Sequence, residues 1–373
     1  MANNTNALIK ALRKQIDSAE ITKSKRAGVS HYIDTGNYAL NLIFSGDMKK
    51  GIPGGRVVSI GGEEASGKSL LAQCLGKNAL NVNNYNIIFF IDSEGGIDKN
   101  NFARLIGANI EKVEHVMVKN IEDCSHKLFA IYDQIEEIQK EDPDFRAYIV
   151  LDSLGALITR KAFTDVAKDE QKLDQGLRAR MCNDMIKGCM MPAIITDCGL
   201  FVITHIYDQP NANVGKVKAQ SGGRGLKFAS HIAMQCDRSN VRVDKSKRGD
   251  FDNYFSGVIL NFFTTKNRIV QPFLEANIDI DFTKGFISKY SGLLDMAMKY
   301  GFVEDGHGIY TFIIDGKKHN VKKDKIYEPE GEKLWDQILD ALNTKASEAI
   351  SYGGVFNKYN EELEAELEKT EEE

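Results

Sequence analysis

Eight residues, Gly62-Glu63-Glu64-Ala65-Ser66-Gly67-Lys68-Ser69, fit the spacing G-x-x-x-x-G-K-[ST], which belongs to loops that cradle phosphate. The glycines let backbone N–H groups turn inward on anionic oxygens, and a helix starting at the end of the loop adds partial positive charge. Lys68 then bridges the outer phosphates of a nucleoside triphosphate and the Ser69 hydroxyl binds Mg²⁺. Two acids extend this chemistry. Ile149-Val150-Leu151-Asp152-Ser153 is an apolar run ending in a carboxylate, the form in which an aspartate assists the metal through water. Many strands end in Asp, so this run gains its weight from following the phosphate loop. Ile87-Ile88-Phe89-Phe90-Ile91-Asp92-Ser93-Glu94 ends the same way. Glu94 is placed to orient and deprotonate an attacking water, although a solvated loop acid reads equally plainly.

Phe201-Val202-Ile203-Thr204-His205 closes another apolar run, and His205 is a candidate sensor of the terminal phosphate or a structural histidine. A polar segment follows, Tyr207 to Gly225, carrying Lys216, Lys218, Ser221, Gly222, Gly223, Arg224 and Gly225. Glycine-rich and cationic, it suits a loop that approaches a phosphate backbone closely, or a plain surface loop. Thr265-Lys266-Asn267-Arg268 lies in a turn between two late apolar runs. Its two cations form either a finger for a neighbour's nucleotide or an exposed basic hairpin tip.

These groups need strands to aim them. Val57 to Ile60, Ile87 to Ile91, Tyr148 to Leu151, Leu200 to Thr204 and His231 to Cys236 read as strands with helical stretches between most of them. That rhythm predicts a mostly parallel sheet covered on both faces, with ligands at its carboxyl edge. Val258 to Phe263 and Gln271 to Ala276 read as an antiparallel addition. Ahead of this core, Leu8, Ile9, Leu12 and Ile16 fall at helical spacing, a stripe that docks either on its own chain or on a neighbouring subunit. The expected organisation is an N-terminal helix and linker (1–30), an α/β core (31–284), a small C-terminal α/β domain (285–345) and an acidic tail (346–373).

At 373 residues with 42% hydrophobic and 27% charged residues, the chain has the composition of a soluble globular protein. No apolar run is long enough to span a bilayer and no signal-peptide pattern opens the chain, so a cytosolic location is expected. Six cysteines without a C-x-x-C pair argue for reduced thiols rather than zinc or disulfides. The net charge of −5 is uneven: Glu361 to Glu373 alone carries −7, which leaves the rest at +2. An acidic tail thus masks a mildly basic body.

Taken in order, Gly62 to Ser69, Phe90 to Glu94, Leu151 to Leu154, Gly222-Gly223 with Leu226-Lys227-Phe228, and Lys266-Asn267-Arg268 resemble the RecA family of DNA strand-exchange recombinases. Tyr290-Ser291-Gly292-Leu293-Leu294-Asp295-Met296-Ala297 resembles its phage branch, the UvsX type. The resemblance implies a RecA-like P-loop ATPase core, ATP and Mg²⁺ as cofactors, and a helical filament on single-stranded DNA that exchanges strands with a homologous duplex. It implies Glu94 as the residue that activates water, Asp152 on the metal side, and Lys266 and Arg268 completing the ATP site of the adjacent protomer. It further implies Phe102 as the aromatic that stacks on adenine. Phe163 to Arg180, with Arg178 and Arg180, matches the first DNA loop, and Tyr207 to Gly225 the second. Single-strand-binding protein and a recombination mediator follow as implied partners, in the cytoplasm of a phage-infected bacterium. Phe102 stands in place of a tyrosine at a slightly longer spacing from Glu94, and Thr204-His205 in place of Asn-Gln. A ring helicase and a non-catalytic mediator share parts of this pattern and stay open as alternatives.

Overall fold

Each apolar run of the core alternates its side chains between two hydrophobic layers, and this alternation builds the sheet. Phe90, Val150, Phe201 and Ile203 fall in one buried cluster, and Ile91, Ile149, Leu151, Leu200 and Val202 in the other, as period-two geometry requires of strands covered on both faces. The computed structural model describes residues 28–167, 176–207, 219–220, 223–242, 255–281 and 288–352, together with residues 9, 12 and 13.

The strands are β1 (Tyr32–Ile33), β2 (Ile52–Pro53), β3 (Val57–Gly62), β4 (Ile87–Asp92), β5 (Val113–Met117), β6 (Ala147–Asp152), β7 (Leu200–Tyr207), β8 (Ala219–Gln220), β9 (Ile232–Arg242), β10 (Phe255–Asn267), β11 (Glu275–Asp281), β12 (Val303–Asp305), β13 (Ile309–Ile314) and β14 (Lys317–Lys322). The helices are α1 (Tyr38–Ser45), α2 (Lys68–Asn81), α3 (Lys99–Ile106), α4 (Ile121–Glu141), α5 (Arg160–Ala167), α6 (Leu177–Gly188), α7 (Met190–Thr196), α8 (Gly223–Ala229), α9 (Leu294–Lys299) and α10 (Pro329–Ile350).

The main sheet has the order β11-β10-β9-β3-β7-β6-β4-β5, with β8 paired to β7. From β9 to β5 the strands are parallel; β10 and β11 are antiparallel additions. Helices α2 and α3 lie in the first hydrophobic layer, α4, α6 and α7 in the second. The second late strand is displaced from its expected place at Gln271 to Ala276. Residues 271–274 form the connection, with Phe273 at a φ of 69°, and the strand runs Glu275–Asp281. Pro272 has no N–H for a ladder, and pairing starts at Glu275 opposite Phe263. Strand β5 was not anticipated: Val113-Glu114-His115-Val116-Met117 is half polar because it is the exposed edge of the sheet.

Strands β12 to β14 form a small antiparallel sheet against α10. Trp335 of α10 is fully buried in the same cluster as Leu40 and Phe44 of α1 and Phe262 of β10. Five cysteines are buried, Cys74 is half-buried, and none is in a disulfide. Among the described residues no helix is long and apolar enough to cross a membrane.

Candidate nucleotide-binding site

Strand register decides which side chains meet. Gly62 pairs with His205 and Asp92 with Asp152, so the carboxyl ends of β3, β7, β6 and β4 bring the phosphate loop, His205, Asp152 and the turn carrying Glu94 to one edge.

The loop backbone is left-handed at Ala65 (φ 56°) and at Gly67 (φ 86°), the residue that caps α2. No side chain caps α2, which leaves its first N–H groups for an anion. A Cβ on Gly67 would lie 2.4 Å from Leu260 Cδ1, and one on Gly62 would lie 2.5 Å from the Cys236 carbonyl oxygen. Strand β9 props the loop from behind, with the Cys236 thiol on the Ser66 carbonyl at 2.7 Å and an Arg238 N–H on the Ala65 carbonyl at 3.1 Å. Lys68, 5% exposed, donates to the Gly62 carbonyl at 3.0 Å, to the Glu63 carbonyl and to Ser66 Oγ at 3.3 Å. Burial lowers its pKa, against the pull of the Cys236, Asp152, Glu94 and Glu64 charges. Glu63 and Glu64 sit on the exposed rim.

Across the edge, buried Asp92 accepts the N–H groups of Glu94 at 2.9 Å and Gly95 at 2.7 Å and fixes the turn. Glu94 Oε1 accepts from Ser153 Oγ and lies 3.1 Å from His205 Nε2. Burial pushes the Glu94 carboxyl up, but these two hydrogen bonds and the charges of His205 and Lys68 outweigh it, and the net pKa is lowered. The carboxylate is therefore ionised and held at one oxygen, with the other available to a proton.

The profile of the RecA N-terminal domain matches residues 5–287 of the chain. The chain belongs to the RecA family. It is 30% identical to RecA of Chlamydia abortus over 302 residues (80% of this chain, 79% of the relative). It is 30% identical to RecA of Mycoplasma genitalium over 303 residues (78% and 79%) and 27% identical to RecA of Chlamydia muridarum over 370 residues (96% of each).

In this RecA-family chain the residues expected to hold Mg²⁺ suit it. Ser69 lies within electrostatic reach of Asp152, whose pKa is raised by burial and by the neighbouring Glu94 and Asp92 carboxylates, with Ser69 and Lys68 acting against the rise. A hard oxygen set under that excess of negative charge favours a small divalent cation.

Other expected residues are placed differently. Phe102 is 5% exposed and meets Phe90 edge-on at 5.2 Å. With Ile106 it forms the apolar stripe of α3, and with Phe90, Ile97 and His115 it lines a cavity of about 320 Å³. Arg178 is half-buried and spends its guanidinium on backbone carbonyls. Arg180 is open to solvent, 3.7 Å from Asp184. Lys216, Lys218 and Gly222 lie outside the described residues, while Gly223 and Arg224 open α8.

Lys266, the last residue but one of β10, donates to the carbonyls of Lys227 and Phe228 in the last turn of α8, both at 2.8 Å. Burial, then repulsion from Arg268 and Lys227, lowers its pKa to about 8. Arg268 follows on the surface. Between them, buried Asn267 donates to the Ile43 and Phe44 carbonyls and accepts the N–H groups of Ile269 and Val270. Sequence reading passed over Asn267, whose only signal was a polar residue between two cations.

Proposed function

We propose that this chain is an ATP-dependent recombinase of the phage UvsX type, which polymerises on single-stranded DNA, pairs it with a homologous duplex and exchanges strands. The observation that carries the assembly is the position of Lys266 and Arg268. Asn267 pairs with Ile232 at the start of β9, and Ile232 lies beside Val58, whereas Gly62 pairs with Cys236. Four residues of register put the cationic pair roughly 13 Å back along the strands, at the opposite edge of the sheet from the chain's own phosphate loop. Such cations serve a triphosphate held by another copy, so ATP joins two protomers in a heterologous contact that propagates as a helix.

A second surface supports the same assembly. The β4–β5 face and α4 leave a groove of about 520 Å³ lined by Ile87, Phe89, Val116, Ile131, Ile135 and Ile138. Ile9 and Leu12 of the N-terminal stripe are exposed, and the stripe of a neighbouring protomer fits an apolar groove of this kind.

In the reaction, Lys68 holds the outer phosphate oxygens and the α2 N-terminus adds its N–H groups. The Ser69 hydroxyl and, through water, Asp152 would hold Mg²⁺, which would supply neutralisation of the phosphate charge. Glu94 takes the proton of the attacking water while Ser153 and His205 fix its orientation. His205 meets both this carboxylate and the root of the second DNA loop, which makes it the sensor through which the nucleotide is read. DNA is held by its phosphates through Arg180 and the second loop with Lys216, Lys218, Gly222, Gly223 and Arg224, so binding is salt-dependent and nearly sequence-neutral. Single-strand-binding protein and a mediator act with it in recombination, repair and recombination-dependent replication, in the cytoplasm of the infected host.

A strand-exchange assay with homologous and heterologous duplexes tests the reading: product is expected only with homology and ATP. Lys68→Ala should abolish turnover, and Glu94→Gln should slow hydrolysis at least 100-fold, on the order of general-base catalysis, with DNA binding retained. ATP-dependent unwinding by closed rings in place of exchange would overturn it.

A further inference from the structure

Arg178 has the charge of a DNA contact, yet three of its five guanidinium N–H groups are spent on backbone carbonyls. Nε donates to the Leu157 carbonyl at 2.6 Å, and Nη2 to the carbonyls of Leu154 at 3.2 Å and Gly155 at 2.6 Å. The gripped segment leads straight out of the catalytic edge. Its preceding residue, Ser153, donates to Glu94 and is tied to Ser93 Oγ through its N–H at 2.9 Å. Leu154 N–H is bound to the Ile203 carbonyl of β7 at 2.9 Å. Gly155 is pressed so closely on His205 that a Cβ there would stand 2.6 Å from His205 Cδ2. Both hydrogen-bond partners of Glu94 are thus set by the path of residues 153–157. Arg178, on the first turn of α6, holds that path through three further hydrogen bonds.

We propose that Arg178 is a positioning residue for ATP hydrolysis rather than a DNA contact: its fork fixes the segment 154–157, and through Ser153 and His205 that segment fixes the Glu94 carboxylate. Arginine suits this task because a planar guanidinium presents Nε and Nη2 in fixed relative directions, whereas an ammonium offers a single point. Because α6 also carries exposed Arg180 two residues on, a shift of the helix on engaging a phosphate backbone moves the clamp with it. DNA binding and the geometry of the water-activating carboxylate are then joined by one rigid turn.

The inference rests on the ATPase and DNA-binding reading above, and the two fail differently: absence of DNA-stimulated turnover in the unaltered chain would overturn both, whereas failure of the inference shows only in the variants. Arg178→Gln and Arg178→Lys would be compared with Arg180→Gln in the full-length protein, with ATP and a poly(dT) oligonucleotide. For both Arg178 variants the expected result is an approximately tenfold lower kcat at saturating DNA, the loss of a positioned rather than a reacting group. KM for ATP and the salt dependence of DNA affinity should be unchanged, and lysine should not restore the rate. Addition of methylguanidinium to Arg178→Ala should recover part of the kcat, which a purely structural lesion would not allow. Arg180→Gln should differ in kind, lowering the slope of log affinity against log salt by about one, a slope that the Arg178 variants leave unchanged. The proposal is overturned if Arg178→Gln lowers the salt slope while leaving kcat intact, if Arg178→Lys behaves as the unaltered chain, or if both Arg178 variants lose the buried fluorescence of Trp335, which would assign the arginine to folding alone.

Discussion

At the scale of single residues, the carboxylate proposed as the general base, Glu94, has its protonation decided by its neighbours. Burial alone would raise the Glu94 pKa; the Ser153 and His205 hydrogen bonds, with the charges of His205 and Lys68, bring it below the ordinary value. A general base must be deprotonated to act, so a lowered pKa keeps Glu94 competent into mildly acid solution. Removing His205 takes away its hydrogen bond and its electrostatic lowering of Glu94 while burial remains, so the Glu94 pKa rises. His205→Ala should therefore shift the acid limb of the kcat profile to higher pH and weaken the dependence of DNA affinity on ATP. The pH–rate profile at saturating ATP and DNA reads the first effect, and an unmoved acid limb would show that His205 does not touch the ionised base.

At the scale of elements, the turn after β10 shows how a chemical pair is held by a residue with no chemistry. Asn267 side-chain bonds reach the Ile43 and Phe44 carbonyls at 3.1 and 3.0 Å and the N–H groups of Ile269 and Val270 at 2.8 and 3.2 Å. It thus closes the C-terminal turn of α1 and shapes the turn that presents Arg268. Asn267→Ala leaves several of these buried groups unpaired and should cost about 3 kcal/mol of stability, measured by urea unfolding. It should also lower DNA-dependent ATP turnover while leaving nucleotide affinity at the chain's own loop in place. A loss of less than about 0.5 kcal/mol, the usual surface value, would mean that the turn is held by something else.

The same elements show what the sequence disclosed. The phosphate loop and the strands ending at Glu94, Asp152 and His205 were legible because a glycine pattern and buried apolar runs are local properties. Strand β5 was hidden because an edge strand shows only part of its face to the core. The start of β11 was misplaced because Pro272 and Phe273 resemble strand residues in composition but sit in a tight connection. The hydrogen bonds of Arg178 and Asn267 were not legible for one reason: charge and polarity name what a side chain can do, while the partner within reach decides what it does.

At the scale of the whole molecule, the C-terminal unit is built into the ATPase body. An aromatic path runs from Tyr38 of α1 to Tyr290 at 5.4 Å, on to Trp335 at 6.1 Å in a stacked arrangement, and to Phe312 of β13 at 5.0 Å edge-on. The sequence Tyr290 to Ala297 supplies this junction: Tyr290, Ser291, Leu293 and Ala297 are fully buried, and Gly292 at a φ of 87° lies against the Asn277 carbonyl of β11. Polar ties lie beside it. Asn343 of α10 accepts the Met48 N–H at 2.8 Å and donates to Asp47 at 3.0 Å, and the Tyr352 hydroxyl donates to the Asn267 carbonyl at 3.2 Å. The end of α10 is thereby strapped to the turn that presents Lys266 and Arg268. A unit that shares its core with the body cannot unfold and leave that body intact, because the apolar faces of α1 and β11 would be bared together. Trp335 is the one tryptophan of the chain, so its fluorescence reports the C-terminal unit while far-UV circular dichroism reports mainly the larger body. The two transitions in urea should share a midpoint in the absence of nucleotide, and Asn343→Ala should lower both together. An earlier fluorescence transition with helical signal retained would show a separable domain, and the strap between α10 and the cationic turn would then carry no coupling.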